Sequence, residues 1–434
     1  MDNRRITVIG LGFVGLPLSL SFAMRGYEVT GLDVNQTLID DLNQGITYHL
    51  EQYQGKPIQT ILKEALANNK FQATTNYQDV YNTSDSYIIT VGLPVKDGLP
   101  IYDHFHSALI DLGRGLKPGD LVLIRSTVVP GTCEEIAKPL LEQESGLKAG
   151  QDFYLAYASE RIAEGKAFDE FVNMPTVVAG IDQQSAVKAK ELLQKITKAE
   201  IHIASDMKIV ETAKVFENVS RDVNIAMANQ FAAFCQSMGI DTRETFTMAN
   251  THQRVKLLTP GPGVGGYCLP NAFYYLRPKA EEKTVDLSLL SLSRIINDQI
   301  PERIVDKVSQ LLEQKGKSIA DTKIAVLGLA MKDYSNDDRI SPAHNVCELL
   351  EERGAIVQAF DPAVHSQSSY AVSSIDNAFR GAEALIILAR QHELDDLTLA
   401  VIKEKMPSNP VLIDTKHQFT KDAAEAQGFS YFAI

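Results

Sequence analysis

The sequence lacks any apolar run near the roughly 20 residues that cross a bilayer, so no helical membrane span is expected. The N-terminal MDNRRITVIG passes straight into a strand-like run, and no signal peptide is expected there. Cysteine is scarce. Cys133, Cys235, Cys268 and Cys347 lie far apart with no CxxC pair, which argues against a disulfide framework, a zinc site or any other bound metal. A reducing, cytoplasmic setting follows as the default. Positive charge is in deficit: 42 Lys and Arg against 55 Asp and Glu give a net charge of -13. Such a surface repels nucleic acid and anionic membrane, so an anionic ligand needs a local cluster of Arg and Lys. No solenoid or propeller repeat is visible.

What is present is a chain of 434 residues, 44% apolar and 22% charged, enough for two or three soluble globular domains. ITVIG, YEVTGLD, SYIITVG, DLVLIRST, FYLAYAS and PTVVAGI are short β-rich runs separated by helical stretches, the pattern of a parallel βαβ sheet. From Asp206 to about Met238 there is neither Gly nor Pro. Apolar residues recur there at helical spacing, which predicts one helix of roughly 50 Å at 1.5 Å per residue. Further helix is expected around 240–250 and 283–315. Strand alternation then restarts with KIAVLGLA, AIVQAFD, ALIILAR and PVLIDTK. The expected fold is α/β: two Rossmann-like doubly wound parallel-sheet domains, 1–204 and 316–434, joined by a long central helix and a helical middle domain, 205–315.

Gly10-Leu11-Gly12-Phe13-Val14-Gly15 is a GxGxxG that follows the strand ITVI and opens a helical pattern, the context the motif requires. The first glycine allows the tight turn, the second lets a pyrophosphate approach the backbone, and the third lets helix and strand pack closely. Asp33 ends the second strand about 20 residues on, where a carboxylate accepts both ribose hydroxyls and repels a 2′-phosphate. NAD, rather than NADP, is the expected cofactor.

Three later segments carry polar residues that packing alone does not explain. In Pro260–Pro270 four glycines in six positions precede Cys268, which is either an activated nucleophile or a buried structural thiol. On the long helix Lys214, Asn218 and Arg221 share one face. Val215, Phe216, Val219, Val223 and Ile225 flank them, so much of the helix is expected to be buried. The cations then face either solvent or an anionic substrate. Ser159–Lys166 follows the strand FYLAYA, at the strand end where α/β folds bind ligands; its Glu164 is a base or an exposed loop carboxylate.

Together GLGFVGLPL, STVVPGT, SERIAEGKA, AKVFEN, PGPGVGGYCLP and GLAMKDYSNDDRISPA resemble the UDP-glucose/GDP-mannose dehydrogenase family over nearly the whole chain. The resemblance implies two NAD-dependent oxidations of a nucleotide-sugar 6-hydroxyl to a uronate, through a cysteine thiohemiacetal and thioester. Cys268 matches the family nucleophile, Lys214 the lysine that handles the alcohol proton, and Asn218 the oxyanion donor. Glu164 matches the carboxylate of thioester hydrolysis, and Thr127 the threonine near the catalytic water and the cofactor. Phe13 and Val14 join Gly10, Gly12, Gly15 and Asp33 at the cofactor. Glu160, Arg161, Arg221, Arg254, Gly265, Gly266, Lys332 and Arg339 are implied at the substrate. ENVSRDVNIAMANQ and ANTHQRVKLLTPGPGVGGYC resemble the branch acting on UDP-N-acetylmannosamine or UDP-N-acetylglucosamine, which implies uronic-acid supply to polysaccharide biosynthesis. A homodimer through the central helix is also implied.

The chain departs from the family pattern at Ala272, where an aspartate is usual, at Ile340 in place of Glu, and at Gly92-Leu93-Pro94 in place of a Thr-Pro pair. Alternatives are a UDP-glucose 6-dehydrogenase, a two-electron β-hydroxyacid dehydrogenase, or a non-catalytic NAD- and UDP-sugar-binding protein, the last suggested by Ala272.

Overall fold

The computed structural model describes residues 5–81, 83–406 and 409–434. The chain divides into two compact units, Met1–Glu217 with Tyr274–Val285, and Asn218–Phe273 with Asp286–Ile434.

The first unit is built on an eight-stranded sheet. Its strands are β1 (Arg5–Ile9), β2 (Glu28–Leu32), β3 (Phe71–Thr74), β4 (Ser86–Ile89), β5 (Leu121–Ile124), β6 (Tyr154–Ala158), β7 (Thr176–Gly180) and β8 (Ile201–Ile203). The spatial order is β8-β7-β6-β5-β4-β1-β2-β3. The run β3-β2-β1-β4-β5-β6 is the doubly wound dinucleotide-binding order, which reverses between β1 and β4. Every residue of β5 and all but the first of β1 are buried, because helices cover both faces of a parallel sheet. Helix α1 (Gly15–Ala23) is buried at every position.

One pair breaks the expected parallel pattern: β7 runs antiparallel to β6, with Ala158 opposite Val178. The intervening segment holds the Ser159–Lys166 loop and the 7-residue helix α2 (Ala167–Asn173). A helix that short rises about 10 Å, less than the roughly 16 Å length of a five-residue strand, so it does not carry the chain back to the other end of the sheet.

Helix α3 (Met207–Met238) is a single helix of 32 residues, as the missing Gly and Pro predict. Val215 and Val219 are buried as expected, but Phe216 is 57% exposed. Beyond it lie α4 (Thr242–Ala249), α5 (Leu269–Glu282), α6 (Ser288–Asp298) and α7 (Ile300–Glu313). The sequence reading does not anticipate α5, which contains both Pro270 and Pro278.

The second unit carries a five-stranded parallel sheet. Its strands are β9 (Lys323–Leu327), β10 (Ile356–Phe360), β11 (Ala384–Ile387), β12 (Val411–Asp414) and β13 (Ser430–Ala433). The order β10-β9-β11-β12-β13 is again doubly wound, with its reversal between β9 and β11. Helix α8 (Pro342–Glu352) packs Val346, Cys347 and Leu350 into the same core as Ile324 and Val326 of β9.

Candidate active site

The turn after β1 has the geometry of a pyrophosphate cradle. Gly10 sits at φ 94°, a conformation open to glycine at little cost. A Cβ on Gly15 would stand 1.8 Å from the Gly10 carbonyl oxygen, so the third glycine admits no side chain. A Cβ on Gly12 would meet nothing within 4 Å, which leaves open the space a phosphate needs. Thr90, just past β4, donates its hydroxyl to the carbonyls of Gly10 (2.6 Å) and Ile9 (3.0 Å); the sequence reading missed this residue. The Asp33 carboxylate accepts the Leu11 N–H at 2.8 Å and the Asn35 N–H at 3.0 Å. It stays partly exposed and keeps lone pairs for a ribose diol. Phe13 packs on His49 with ring centroids 5.1 Å apart, and Val14 caps α1. These residues fit NAD.

Thr127 and the Ser159–Lys166 loop both lie past the carboxyl ends of the paired strands β5 and β6. A buried arginine ties these ends together: Arg125 donates to Oε2 of the partly buried Glu160 through Nε at 3.0 Å. The other Glu160 oxygen accepts the N–H groups of Arg161 (2.7 Å) and Ile162 (3.1 Å). Arg161 in turn pairs with Glu217 of α3 and donates to the Pro175 carbonyl at 3.1 Å. Glu160 and Arg161 are thus held by protein groups. Glu211, 1% exposed, accepts the N–H groups of Gly131 and, at 2.8 Å, Cys133. Its burial pushes the carboxyl above its ordinary value, against the lowering effect of the Cys133 and Gly131 donors.

Lys214 stands three residues after Glu211 and three before Glu217. Both anchors therefore lie on its side of α3 and dock it beside the STVVPGT turn and the SERIAEGKA loop. Lys214 is half-buried, and no hydrogen bond or ion pair engages it among the described residues. Nothing in the sequence marks Glu211 or Glu217 as anchors.

In the second unit Asn218, one turn along α3, is 5% exposed. Its Nδ2 is buried with no acceptor among the described residues, an unmet donor that calls for an explanation. Arg221 is exposed. The glycine loop lies against the segment that follows β9. Gly266, at φ 83°, donates its N–H to the Arg339 carbonyl at 3.2 Å. A Cβ on Gly266 would stand 2.2 Å from Met331 Sδ, and one on Gly265 2.8 Å from the Ile340 carbonyl oxygen. At the other end of the loop Gly261 N–H donates to Asn229 Oδ1 at 3.0 Å. Asn229 reaches Asn297 (3.4 Å), which donates to Asp222 (2.9 Å), itself paired with buried Arg294 (2.6 Å).

Cys268 ends this loop and is the exposed member of the four cysteines; Cys133, Cys235 and Cys347 are buried. It immediately precedes α5 and so stands at the positive end of that helix. Asn271 donates to the Tyr267 carbonyl at 2.9 Å, and Ala272 is fully buried. Arg339 forks onto both oxygens of Asp337 (2.8 and 2.7 Å) and lies 5.6 Å over the Tyr267 ring. Lys332 is half-buried. Arg254 is exposed on a segment closed by Asn250, whose amide binds Leu257 N–H (2.7 Å) and carbonyl (3.1 Å).

A cavity of about 370 Å³ is lined by Arg243, Thr259, Pro260, Arg390, Lys416 and His417. Arg390 and Lys416 follow β11 and β12, at the carboxyl edge of the second sheet, where its crevice is expected. Arg390 pairs with Asp395 at 2.6 Å and Lys416 with Asp333 at 2.8 Å. The sequence reading missed both cations. Their signal is position alone, a charged residue just beyond an apolar parallel strand.

A dinucleotide cradle on one doubly wound sheet, a cationic crevice on a second, and an exposed cysteine on a glycine loop define an NAD-dependent oxidoreductase. The description of the UDP-glucose/GDP-mannose dehydrogenase family matches three stretches of the chain: its NAD binding domain at 4–198, its central domain at 208–299 and its UDP binding domain at 325–421. The chain belongs to this family. It is 34% identical over 413 residues to a UDP-N-acetyl-D-mannosamine dehydrogenase of Pyrococcus horikoshii, covering 95% of each. It is 31% identical over 430 residues to a UDP-N-acetyl-D-glucosamine 6-dehydrogenase of Pseudomonas aeruginosa, covering 98% of this chain and 99% of the relative. The solved structure of a UDP-D-ManNAc dehydrogenase from Pyrococcus horikoshii superposes with a TM-score of 0.91 at 33% identity, covering 99% of both chains.

Proposed function

We propose that this protein oxidises the 6-hydroxyl of a UDP-N-acetylhexosamine, UDP-N-acetylmannosamine or UDP-N-acetylglucosamine, to the carboxylate in two oxidations, the second of them on Cys268. The observation that carries the reading is the exposure of Cys268 at the head of α5, on a loop whose Gly263, Gly265 and Gly266 pack closely on Met331, Ile340 and Pro342. Bound NAD supplies the two-electron oxidant for each step. The half-buried Lys214 amine takes the proton of the sugar hydroxyl. The Asn218 Nδ2, which lacks an acceptor among the described residues, donates to the oxyanion; one such donor contributes about 3–4 kcal/mol to a transition state. Cys268 Sγ adds to the aldehyde carbon, and the second oxidation leaves a thioester. Glu164 takes the proton of the water that hydrolyses it, with Thr127 beside that water.

The cations Arg243, Arg390 and Lys416 suit a diphosphate in the 370 Å³ cavity. Arg221, Arg254, Gly265, Gly266, Lys332 and Arg339 complete the substrate contacts. Glu160 and Arg161, both engaged by protein partners, act by shaping the loop that carries Glu164.

The protein works as a homodimer through α3. Phe231, Phe234 and Met238 stand exposed at i, i+3 and i+7 on that helix, and Leu289, Leu292 and Ile295 are exposed on α6, a pattern suited to a second copy. No helix among the described residues is long and apolar enough to cross a membrane, and all four thiols are free, in keeping with a cytoplasmic role in uronic-acid supply for polysaccharide biosynthesis.

The test is initial-rate assay with NAD and three sugars. kcat/KM for one of the two UDP-N-acetylhexosamines is expected at least tenfold above UDP-glucose; the reverse order makes the protein a UDP-glucose dehydrogenase. A second reading, binding without turnover, draws on buried Ala272, which brings no carboxylate to the water. It gains ground if UDP-sugar binds and no NADH forms.

A further inference from the structure

The loop that carries Glu164 is held by a carboxylate far away in sequence. Glu51 is 2% exposed. Its Oε1 accepts the Gly165 N–H at 2.7 Å and its Oε2 accepts the Ala167 N–H at 2.9 Å. These two amides flank the Gly165–Lys166 peptide, immediately after Glu164. A second carboxylate, Glu170, takes the Ala163 N–H on the other side. Gly165 lies at φ 86°, so the chain reverses at that residue, and a Cβ there would meet nothing within 4 Å. The tied amides hold this turn between Ile162 and Ala167, which pack on the core. His49, two residues before Glu51, packs on Phe13 of the cofactor turn. One short segment thus touches both the cofactor cradle and the Glu164 loop, and all of these residues belong to the first unit.

We infer that Glu51 is a positioning residue for thioester hydrolysis: its two hydrogen bonds fix the backbone on either side of Lys166 and so aim the Glu164 carboxylate at the attacking water. The step itself is redox-neutral. Water oxygen bonds to the thioester carbon, the carbon–sulfur bond breaks, Cys268 leaves as thiolate, and Glu164 receives the water's proton. Glu51 touches none of the reacting atoms. This inference rests on the two-step reading above, in which a thioester forms on Cys268.

Glu51→Gln preserves shape but replaces one acceptor with an NH₂ group, so one of the two amides loses its partner. Glu51→Asp keeps the charge on a shorter arm. Stopped-flow NADH absorbance and intact-protein mass spectrometry, with NAD and the preferred UDP-N-acetylhexosamine, read the outcome. For E51Q the expectation is a burst of two NADH per active site, then steady turnover lowered roughly tenfold or more. A uronyl adduct should accumulate on Cys268 while KM for the sugar moves less than about threefold. E51D should fall between wild type and E51Q. A merely structural role would lower both oxidations together and leave no adduct. Wild-type turnover in E51Q, slow turnover without the adduct, or failure of both variants to fold would overturn the inference. If wild-type enzyme itself forms only one NADH per sugar, the two-step reading has failed and this proposal goes with it; two NADH in wild type with no adduct in E51Q removes this proposal alone.

Discussion

After the second strand of the first sheet stands Asp33, partly exposed and taking two backbone amides. After the second strand of the other sheet stands Asp361, 6% exposed. Its oxygens accept the N–H groups of Leu329 (2.8 Å), Ala330 (3.0 Å) and Ala363 (2.9 Å), and the Gln391 side-chain amide at 3.1 Å. The two sheets share a doubly wound plan, and both begin their first turn on a glycine of positive φ, Gly10 at 94° and Gly328 at 88°. They part immediately afterwards. Gly10 leads to Gly12, Gly15 and the start of α1. Gly328 leads to Leu329 and Ala330, and α8 does not begin until Pro342. In the first sheet the acid is left available for a ribose and the helix end for a phosphate. In the second the acid is consumed in closing its own turn, and the long segment before α8 supports the glycine loop of Cys268. The same architecture serves a dinucleotide in one place and a cationic crevice in the other, and the difference lies in a few residues after the first two strands.

The contrast predicts opposite phenotypes for equivalent substitutions. Asp361→Ala leaves several buried donors unmet, and urea unfolding should show a loss of about 3 kcal/mol or more, with NAD affinity of the folded fraction unchanged. Asp33→Ala leaves one part-buried amide, at Leu11, unmet; it should cost only about 1 kcal/mol in unfolding and weaken NAD roughly 10–100-fold by titration calorimetry, the expected effect of losing charge-assisted hydrogen bonds. If Asp33→Ala unfolds the protein while Asp361→Ala is benign, the contrast is broken.

A smaller effect sharpens it from the crevice side. Lys416→Ala should weaken UDP about tenfold and leave NAD alone, with the difference shrinking as salt rises. An equal loss for both ligands would mean that the crevice serves no ligand of its own.

The smallest effect lies at the base of the first sheet. Burial pushes the Asp120 carboxyl up to about 6 from an ordinary 3.8. Its folded value exceeds its unfolded one, so the charged form costs stability above pH 6. That cost is relieved as pH falls from about 6 to about 4. Asp120→Asn keeps an acceptor for the Lys117 N–H and should gain roughly 1 kcal/mol at pH 7 while flattening the unfolding profile between pH 4 and 6. A variant whose profile keeps the wild-type slope there would contradict the assignment.

Much of the fold was legible because its signals are local. Ten of the thirteen strands in the two sheets are short apolar runs, α3 is marked by 32 residues without Gly or Pro, and the cofactor turn is spelled by three glycines and Asp33; the short strands β3 (FQAT), β8 (IHI) and β13 (SYFA) went unread. Helix α5 was hidden by Pro270 and Pro278, although the first sits in its opening turn, where proline is tolerated. The exposure of Phe216 could not be read from its apolar character, since an exposed apolar face looks like a core face in sequence. Cys268 and Lys214 were legible as candidates by type and context. The carboxylates that hold their surroundings were not. Glu51 and Glu211 bind backbone amides 78 to 116 residues away, and a backbone amide has no sequence signature. Glu160 was legible as a loop acid, but not its engagement by Arg125.

The measurement that bears most directly on the account is the stoichiometry of a complete reaction: NADH formed per UDP-N-acetylhexosamine consumed, with the sugar limiting and NAD in excess. Two successive oxidations, the second of the adduct on Cys268, predict two NADH per sugar and a uronate product. One NADH per sugar, with an aldehyde or ketone as the end product, would contradict it.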